Sequence, residues 1–452
     1  MKEEKEIYAV GLDIGNSKVC AVAGKKDERG KISLLGVSES YYNNEFESMR
    51  TGEVKNEENV ISTVAKVLED LSEKAGLVMN VANCSYSGLA INVKTGKEEY
   101  TNNGEKLKVG DYQLDMLVRK ALDTDRKNEK MKLLHLLPKE FYIDEEIIPK
   151  NPRGSVGNKL GCSFNFIQLP KEVYETYTKS LDGIPYSFFN AESDETEEKE
   201  IYLDQLVYSG VADAMACLSG EDKHNGILFV NFGAQLTEIS IYKEAGLRFT
   251  QVLPIGGNLV INDLCSAFSV DESQAVELIK IGSGRPSREV EINEVIQLSD
   301  AHGMSGRQFL HKSVAIVIES RLKEIAGLVA NAVIDSGYHR VLGNGIMLSG
   351  ASARLHLVQY LFEKTFSPLP FRVADPGRNI DINMFLEIAH PKYSTAVGTM
   401  LTALLPTDQR MPFFKIPKDR HRFGKGIFRN LPIPQAIKDF FDEPELRRKY
   451  NE

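Results

Sequence analysis

The chain has 452 residues, 42% of them hydrophobic and 26% charged, the balance of a folded protein, and at this length two or more domains are expected. Its net charge of −9 sets aside nucleic acid as a partner, because nucleic-acid binders carry a basic footprint. Five scattered cysteines without a Cys-x-x-Cys pair argue against a cysteine-held metal site and read as buried thiols in a reducing cytoplasm, and eight histidines without His-Glu-x-x-His spacing set aside metal catalysis.

After a charged start, no apolar run of signal-peptide length follows and none reaches ~20 residues, so neither export nor a spanning helix is expected. Residues 8–12 and 19–22 are apolar runs of strand length flanking a polar turn, and 32–37 give a third strand. Val60, Ile61, Val64, Val67, Leu68 and Leu71 recur at helical spacing, and Gly76 is placed to end that helix. From about 84 to 168 the character changes. A polar stretch at 95–110, a helix near 114–122 and strands at 133–137, 141–143 and 163–167 read as a small inserted α/β domain. The acidic run 192–200 lacks apolar periodicity and is expected to be a solvated loop.

At Ile227 the opening pattern returns: a strand at 227–232, a polar turn, a strand at 238–242 and a third at 247–253 that runs into Pro254-Ile255-Gly256-Gly257. A long helix is expected from near Ser305, where Ser305 and Gln308 have capping-box spacing, to Gly337. Residues 345–349 form another strand entering a glycine turn. Two similar halves, each opening strand–turn–strand, point to two related lobes with a cleft between them.

Three turns carry chemistry. In Gly11-Leu12-Asp13-Ile14-Gly15-Asn16-Ser17-Lys18, Gly15 lets backbone N–H groups approach phosphate oxygens. Asn16, Ser17 and Lys18 add side-chain donors, and Asp13 can hold Mg²⁺ through water. Strand leads to strand here, which excludes a Walker A loop or a dinucleotide fingerprint; the same residue types also make plain hairpins. The second turn, Asn231-Phe232-Gly233-Ala234-Gln235-Leu236-Thr237-Glu238, repeats the position with poorer content: Asn231 is neutral, and Ala234, Gln235 and Leu236 replace small polar residues. The third, Leu348-Ser349-Gly350-Ala351-Ser352-Ala353-Arg354, passes from strand to helix through small residues that admit a flat ring or a phosphate, and that equally make a well-capped helix start. Glu277 and Lys280 sit at i and i+3 on one helical face, a spacing that suits a ribose edge or a solvated pair.

The order of these parts is that of the actin, Hsp70 and sugar-kinase superfamily, and within it the chain resembles the FtsA family. The resemblance lies in the opening Gly11 to Lys18 motif, in Leu134-His135-Leu136-Leu137-Pro138-Lys139-Glu140-Phe141-Tyr142-Ile143-Asp144 with Lys150-Asn151-Pro152-Arg153-Gly154, in Leu203-Asp204-Gln205-Leu206-Val207, in Val252-Leu253-Pro254-Ile255-Gly256-Gly257-Asn258, and in Tyr393-Ser394-Thr395-Ala396-Val397-Gly398. It implies an α/β, actin-like, two-lobed fold of duplicated ribonuclease-H-like domains with the FtsA-type 1C subdomain inserted. The implied divisions are 1A at 1–83 (completed by 169–209 and about 388–405), 1C at 84–168, 2A at 210–257 (completed by 340–387), 2B at 258–339, a linker at 406–424 and a tail at 425–452. It further implies ATP and Mg²⁺ in the cleft. Asp13, Gly15, Asn16, Ser17 and Lys18 would meet phosphates and metal, and Gly233 and Ala234 the second phosphate side. Gly256, Gly257, Glu277, Lys280, Gly350, Ala351 and Ser352 would surround ribose and adenine.

The implied partners are the C-terminal peptide of FtsZ on 2B, further copies of the chain in filaments, later division proteins, and the cytoplasmic face of the bacterial inner membrane at the division site. The membrane contact falls to the tail, where Ile427, Phe428, Leu431, Ile433, Ile437, Phe440 and Phe441 interleave with Lys425, Arg429 and Lys438. Pro432 and Pro434 break any helix before about Gln435, and Asp439, Asp442, Glu443 and Glu445 dilute the positive charge. Ser209 and Gly210 stand about where related ATPases place a water-positioning Glu or Gln, so with the altered second turn slow or absent hydrolysis is expected. The alternatives are a PilM-like pilus-assembly scaffold and a small-molecule kinase of the same superfamily, for whose base Asp204 and Asp213 are the candidates.

Overall fold

The computed structural model describes residues 7–42, 48–102, 104–148, 152–190, 193–298, 306–378, 380–382 and 385–404. The linker and tail expected at 406–452 lie outside them, as does Ser305.

The first lobe opens with β1 (Ile7–Ile14), β2 (Lys18–Lys26) and β3 (Ile32–Tyr41), an antiparallel meander. Helix α1 (Glu57–Ala75) follows, then β4 (Val81–Tyr86), which returns parallel to β1. The helix forms where its apolar positions recur: Val60, Val64, Val67, Leu68 and Leu71 are buried. The Asn56 side chain accepts the Asn59 N–H, Glu57 and Glu58 complement the positive end of the dipole, and Gly76 ends the helix in the left-handed region. After the insertion, β5 (Ile184–Asn190) and β6 (Glu195–Tyr208) complete a six-stranded sheet of order β5-β6-β4-β1-β2-β3.

The second lobe repeats this plan. β7 (Ile227–Phe232), β8 (Thr237–Lys243) and β9 (Gly246–Leu253) form a meander, and β10 (Ile346–Ser349) and β11 (Phe371–Val373) add in parallel to give β9-β8-β7-β10-β11. Two hydrophobic cores result, one under the first lobe and the insertion and one under the second lobe. The insertion is a four-stranded sheet of Glu146–Ile148, Met131–Ile143, Lys159–Pro170 and Asn92–Thr101, crossed by helix Asp111–Arg126. It docks on the second lobe through Arg248, whose guanidinium donates to the Lys139 carbonyl at 2.6 Å and to Glu140 at 2.8 Å. His135 accepts the Tyr208 N–H at 2.8 Å, so the insertion is also stitched to the end of β6.

Two helices join the lobes. α2 (Ser209–Cys217) leaves β6, and α3 (Ser394–Ala403) packs on both β1 and α2. The small residues of Tyr393-Ser394-Thr395-Ala396-Val397-Gly398 explain the contact: a Cβ on Gly398 would lie 1.8 Å from the Ala212 carbonyl oxygen. The helices meet backbone to backbone.

Two sequence expectations are corrected. The acidic run is not a loop: residues 195–200 belong to β6 and pair with β5, so Glu195 lies opposite Asn190 and Glu200 opposite Pro185. Here the only sheet neighbour is the edge strand, and exposed charges suit such a strand, which hides the apolar alternation a strand normally shows. The long helix begins at His311, not near Ser305. Gln308 lies in a short strand, Gln308–Leu310, paired with Val295–Gln297, so its main chain is committed to that ladder, and the Glu294 carbonyl accepts the His311 N–H at 2.9 Å.

Candidate functional site

The first turn is built by the β1–β2 hairpin, whose last paired residues are Ile14 and Val19. The Gly15 N–H donates to the Lys18 carbonyl at 2.9 Å, fixing the tip. Asp13, at the end of β1, faces β4, where Ser85 Oγ donates to Asp13 Oδ1 at 2.7 Å. Burial pushes the Asp13 carboxyl above the usual range, opposed by the Ser85 hydrogen bond and the Lys18 charge. The Asn16 side-chain oxygen accepts the Gly52 N–H at 3.0 Å, and the Ser17 carbonyl accepts the Tyr42 N–H at 3.2 Å.

Lys18 is buried, and its ammonium is paired with Glu39. Lys392 reaches the same carboxylate at 2.6 Å, and Lys18 lies 5.2 Å from the centre of the Tyr393 ring. The neighbourhood is cationic: burial first, then the charges of Arg354, Lys392 and Lys18, push His390 down to about 4.

The second turn closes in the same way, the Gly233 N–H donating to the Leu236 carbonyl at 3.0 Å. The chain after β9 then folds onto it. Gly257 N–H donates to the Gly233 carbonyl at 2.9 Å and Asn258 N–H to the Ala234 carbonyl at 2.8 Å, while a Cβ on Gly256 would stand 2.4 Å from the Ala234 oxygen. Gly350 lies against the Phe232 carbonyl, and Ser352 Oγ is 3.8 Å from where a Gly257 Cβ would be. Gly233, Ala234, Gly256, Gly257, Gly350 and Ser352 therefore form one backbone-lined cradle. Exposed Ala351 opens the short helical turn Ala351–Arg354, and the α-helix begins only at His356. Glu277 and Lys280 are exposed on helix Glu272–Gly282 and make no hydrogen bond to the cradle among the described residues.

Between the turns lies a buried carboxylate pair that sequence reasoning did not assemble. Asp213 on α2 accepts from Asn231 Nδ2 at 2.8 Å and from Thr395 Oγ1 at 2.9 Å. Burial and then the Glu238 charge hold its carboxyl well above the usual range. The neutral Asn231 that weakened the motif thus serves as a donor to Asp213, where a second carboxylate would repel it. Glu238 on β8 accepts from Ser209 Oγ at 2.7 and 2.6 Å, and burial pushes it up to about 7. Asp204, on β6, is partly buried. Among the described residues no cluster of three or more His, Cys, Asp or Glu side chains could hold a metal ion, and the five cysteines are unpaired, four buried and Cys265 partly so.

The turns of the two lobes also meet a common neighbour. A small hairpin, Met49–Arg50 paired with Glu53–Val54, sits between them. Asn16 binds it from the first turn, and Gln235 binds it from the second by accepting the Thr51 N–H at 3.0 Å and donating to the Met49 carbonyl at 3.2 Å.

The sequence matches the family described as cell division protein FtsA over residues 228–398 and the SHS2 domain inserted in FtsA over 88–168, together more than half of the chain. The chain belongs to the FtsA family. The cell division protein FtsA of Borreliella burgdorferi is 24% identical over 399 residues, covering 87% of this chain and 90% of that one. That of Escherichia coli K12 is 25% identical over 400 residues, covering 86% and 89%. A solved PilM–PilN type IV pilus biogenesis complex has a similar fold, with a TM-score of 0.58 and 13% identity over 88% of this chain and 99% of that one. The FtsA family membership and this fold likeness make the two-lobed architecture actin-like, and the SHS2 segment coincides with the four-stranded insertion.

Proposed function

We propose that this FtsA-family division protein binds ATP with Mg²⁺ between the two turns, self-associates into filaments, and ties the FtsZ ring to the cytoplasmic face of the inner membrane. The observation that carries the nucleotide reading is the pair of hairpin turns that meet at one small hairpin, the second packed main chain to main chain by Gly256 and Gly350, where a Cβ would strike the Ala234 and Phe232 carbonyls. The fit is a close backbone approach on both sides with cations behind Lys18. Gly15, Asn16, Ser17 and Lys18 would hold phosphates from the first lobe, Gly233 and Ala234 from the second. Gly256, Gly257, Gly350, Ala351 and Ser352 would line the nucleoside, with Glu277 and Lys280 at its rim. Asp13 would hold Mg²⁺ through water, since a nearby dication returns a raised carboxyl to its ionised form. The subdomain divisions, with the SHS2 insertion as 1C, belong to the same reading.

Hydrolysis is expected to be slow or absent. Ser209 supplies only a hydroxyl, whose single proton is taken up between Glu238 and the Tyr86 carbonyl. Steady phosphate release near ~1 per second would contradict this. The reading of 2B as the FtsZ-peptide surface is supported by exposed Val276, Ile281, Ile316 and Leu328. Among the described residues no helix is long and apolar enough to cross a membrane. The membrane reading is supported by the tail's apolar and aromatic residues interleaved with Lys425, Arg429 and Lys438.

Calorimetry with Mg²⁺-ATP tests the nucleotide reading. Micromolar binding by the intact chain is expected, weakened at least tenfold in Gly15→Glu, whose side chain would bring negative charge to the phosphate turn. No heat at millimolar ATP would leave a nucleotide-free scaffold. For the tail, sedimentation with anionic liposomes is expected to carry down the intact chain and not a variant ending at residue 405; equal sedimentation would remove the tail from the account.

A further inference from the structure

We propose that the adjacent backbone N–H groups of Thr51 and Gly52 are a third phosphate-binding element. It receives the terminal phosphate of a nucleoside triphosphate, and the amide side chains of Asn16 and Gln235 cap it when that phosphate is absent. The proposal rests on the nucleotide reading above and goes beyond it by separating triphosphate from diphosphate.

The hairpin is a two-residue turn with φ of 48° at Thr51 and 88° at Gly52. Turns of this kind are ordinarily made by Asn-Gly or Asp-Gly, and a β-branched residue with positive φ is an outlier. Such conformations persist where the surroundings over-determine them, and they gather at ligand clamps. The surroundings here are tight. A Cβ on Gly52 would stand 2.0 Å from the Ser87 carbonyl oxygen, so the turn is seated on the chain that leaves β4, two residues beyond the Ser85 that holds Asp13. The hairpin is anchored to the floor of the site.

What the two N–H groups bind is the second observation. Gly52 N–H donates to Asn16 Oδ1 and Thr51 N–H to Gln235 Oε1, each at 3.0 Å. Asn16 comes from the tip of the first turn and Gln235 from the tip of the second, on opposite lobes. Two side-chain oxygens therefore converge from the two phosphate turns onto neighbouring donors, the pattern that two oxygens of one phosphate would make. Both caps are neutral amides, and a hydrogen bond to an ionised oxygen is roughly twice as strong as one to a neutral oxygen. A terminal phosphate lying between the turns outcompetes them; a diphosphate, lacking that group, leaves them in place. Gln235 also explains itself: the turn position that would otherwise be small carries a side chain long enough to cross to the other lobe.

The test is calorimetry on the full chain with Mg²⁺-ATP and Mg²⁺-ADP, comparing the unaltered protein with Gln235→Leu, which removes the cap on Thr51 and keeps the bulk. ATP affinity is expected to rise about threefold to tenfold, with ADP unchanged within about twofold. If both nucleotides shift together, or neither shifts, Gln235 is a clasp between lobes only and the proposal is overturned. Hydrogen exchange of the segment holding Thr51 and Gly52 in the unaltered protein gives an answer even if the variant does not fold. ATP is expected to slow exchange there several-fold more than ADP, and equal protection by both overturns the proposal. If neither nucleotide binds the unaltered chain, the nucleotide reading itself fails and takes this one with it. Binding of both with an unchanged ratio removes this proposal alone.

Discussion

Replacing Gly398 by alanine is expected to destabilise the protein by about 3 kcal/mol or more, against the usual direction of such a change in a helix. Helix propensity alone predicts a gain of up to ~1 kcal/mol. The added Cβ, however, would lie 1.8 Å from the Ala212 carbonyl oxygen and 2.3 Å from its carbon. Both are backbone atoms of α2, so relief requires α2 and α3 to separate, and the neighbourhood is closely packed on every side. Gly11 presses the other side of α3, its own Cβ position falling 2.4 Å from the Ala396 oxygen. Gly327 supplies the control: it lies within helix His311–Asp335 with nothing inside 4 Å of its Cβ position, so Gly327→Ala should be neutral or stabilising. Thermal melts of the two variants should move in opposite directions. A Gly398→Ala melt as high as that of the unaltered protein would mean that the helices do not meet at this distance.

That contact shows which part of the structure is written locally. The strand–turn–strand openings of both lobes are legible because buried strands are apolar over their length and Gly15 and Gly233 mark the turns. The α1 helix is legible from Val60 to Leu71 for the same reason, with its stop at Gly76. Charge misleads at β6, where Glu195 to Glu200 form a strand through main-chain bonds to β5 that no side-chain pattern records. The start of the helix at His311 is set by strand 308–310 pairing with 295–297, a long-range choice that overrode the local capping signal. At the site, the glycines were visible one by one, but their assembly was not. Gly256 meets Ala234 across a turn, Gln235 meets Thr51 across lobes, and Asn231 meets Asp213 between sheet and helix. Lys18 is informative in the same sense: sequence offers it as a phosphate donor, and the fold also pairs it with Glu39.

Glu238→Gln is expected to flatten the pH dependence of stability. The buried carboxyl has a folded-state value of about 7 against an ordinary 4.5. Burial is the largest cause and the Asp13 charge adds to it, while hydrogen bonds from Ser209, Ser87 and Tyr208 work the other way. An acid whose value is raised on folding holds its proton in the native state while the unfolded chain has already released it. Stability is therefore fully present below about pH 4.5 and is lost progressively up to about pH 7. At ~1.4 kcal/mol for each tenfold change in proton affinity on folding, the loss is about 3 kcal/mol, reached near pH 8. Asp213 and Asp13, also raised by burial, push in the same direction at their own pH ranges. Glutamine keeps an acceptor for Ser209 Oγ and never ionises, so the variant should match the unaltered protein at pH 4.5 and exceed it by about 3 kcal/mol at pH 8. Denaturant melts at those two values read the difference. Parallel curves for the two proteins across the range would mean that Glu238 ionises as readily in the folded chain as in the unfolded one, and that the junction between the turns is wetter than its 5% exposure indicates.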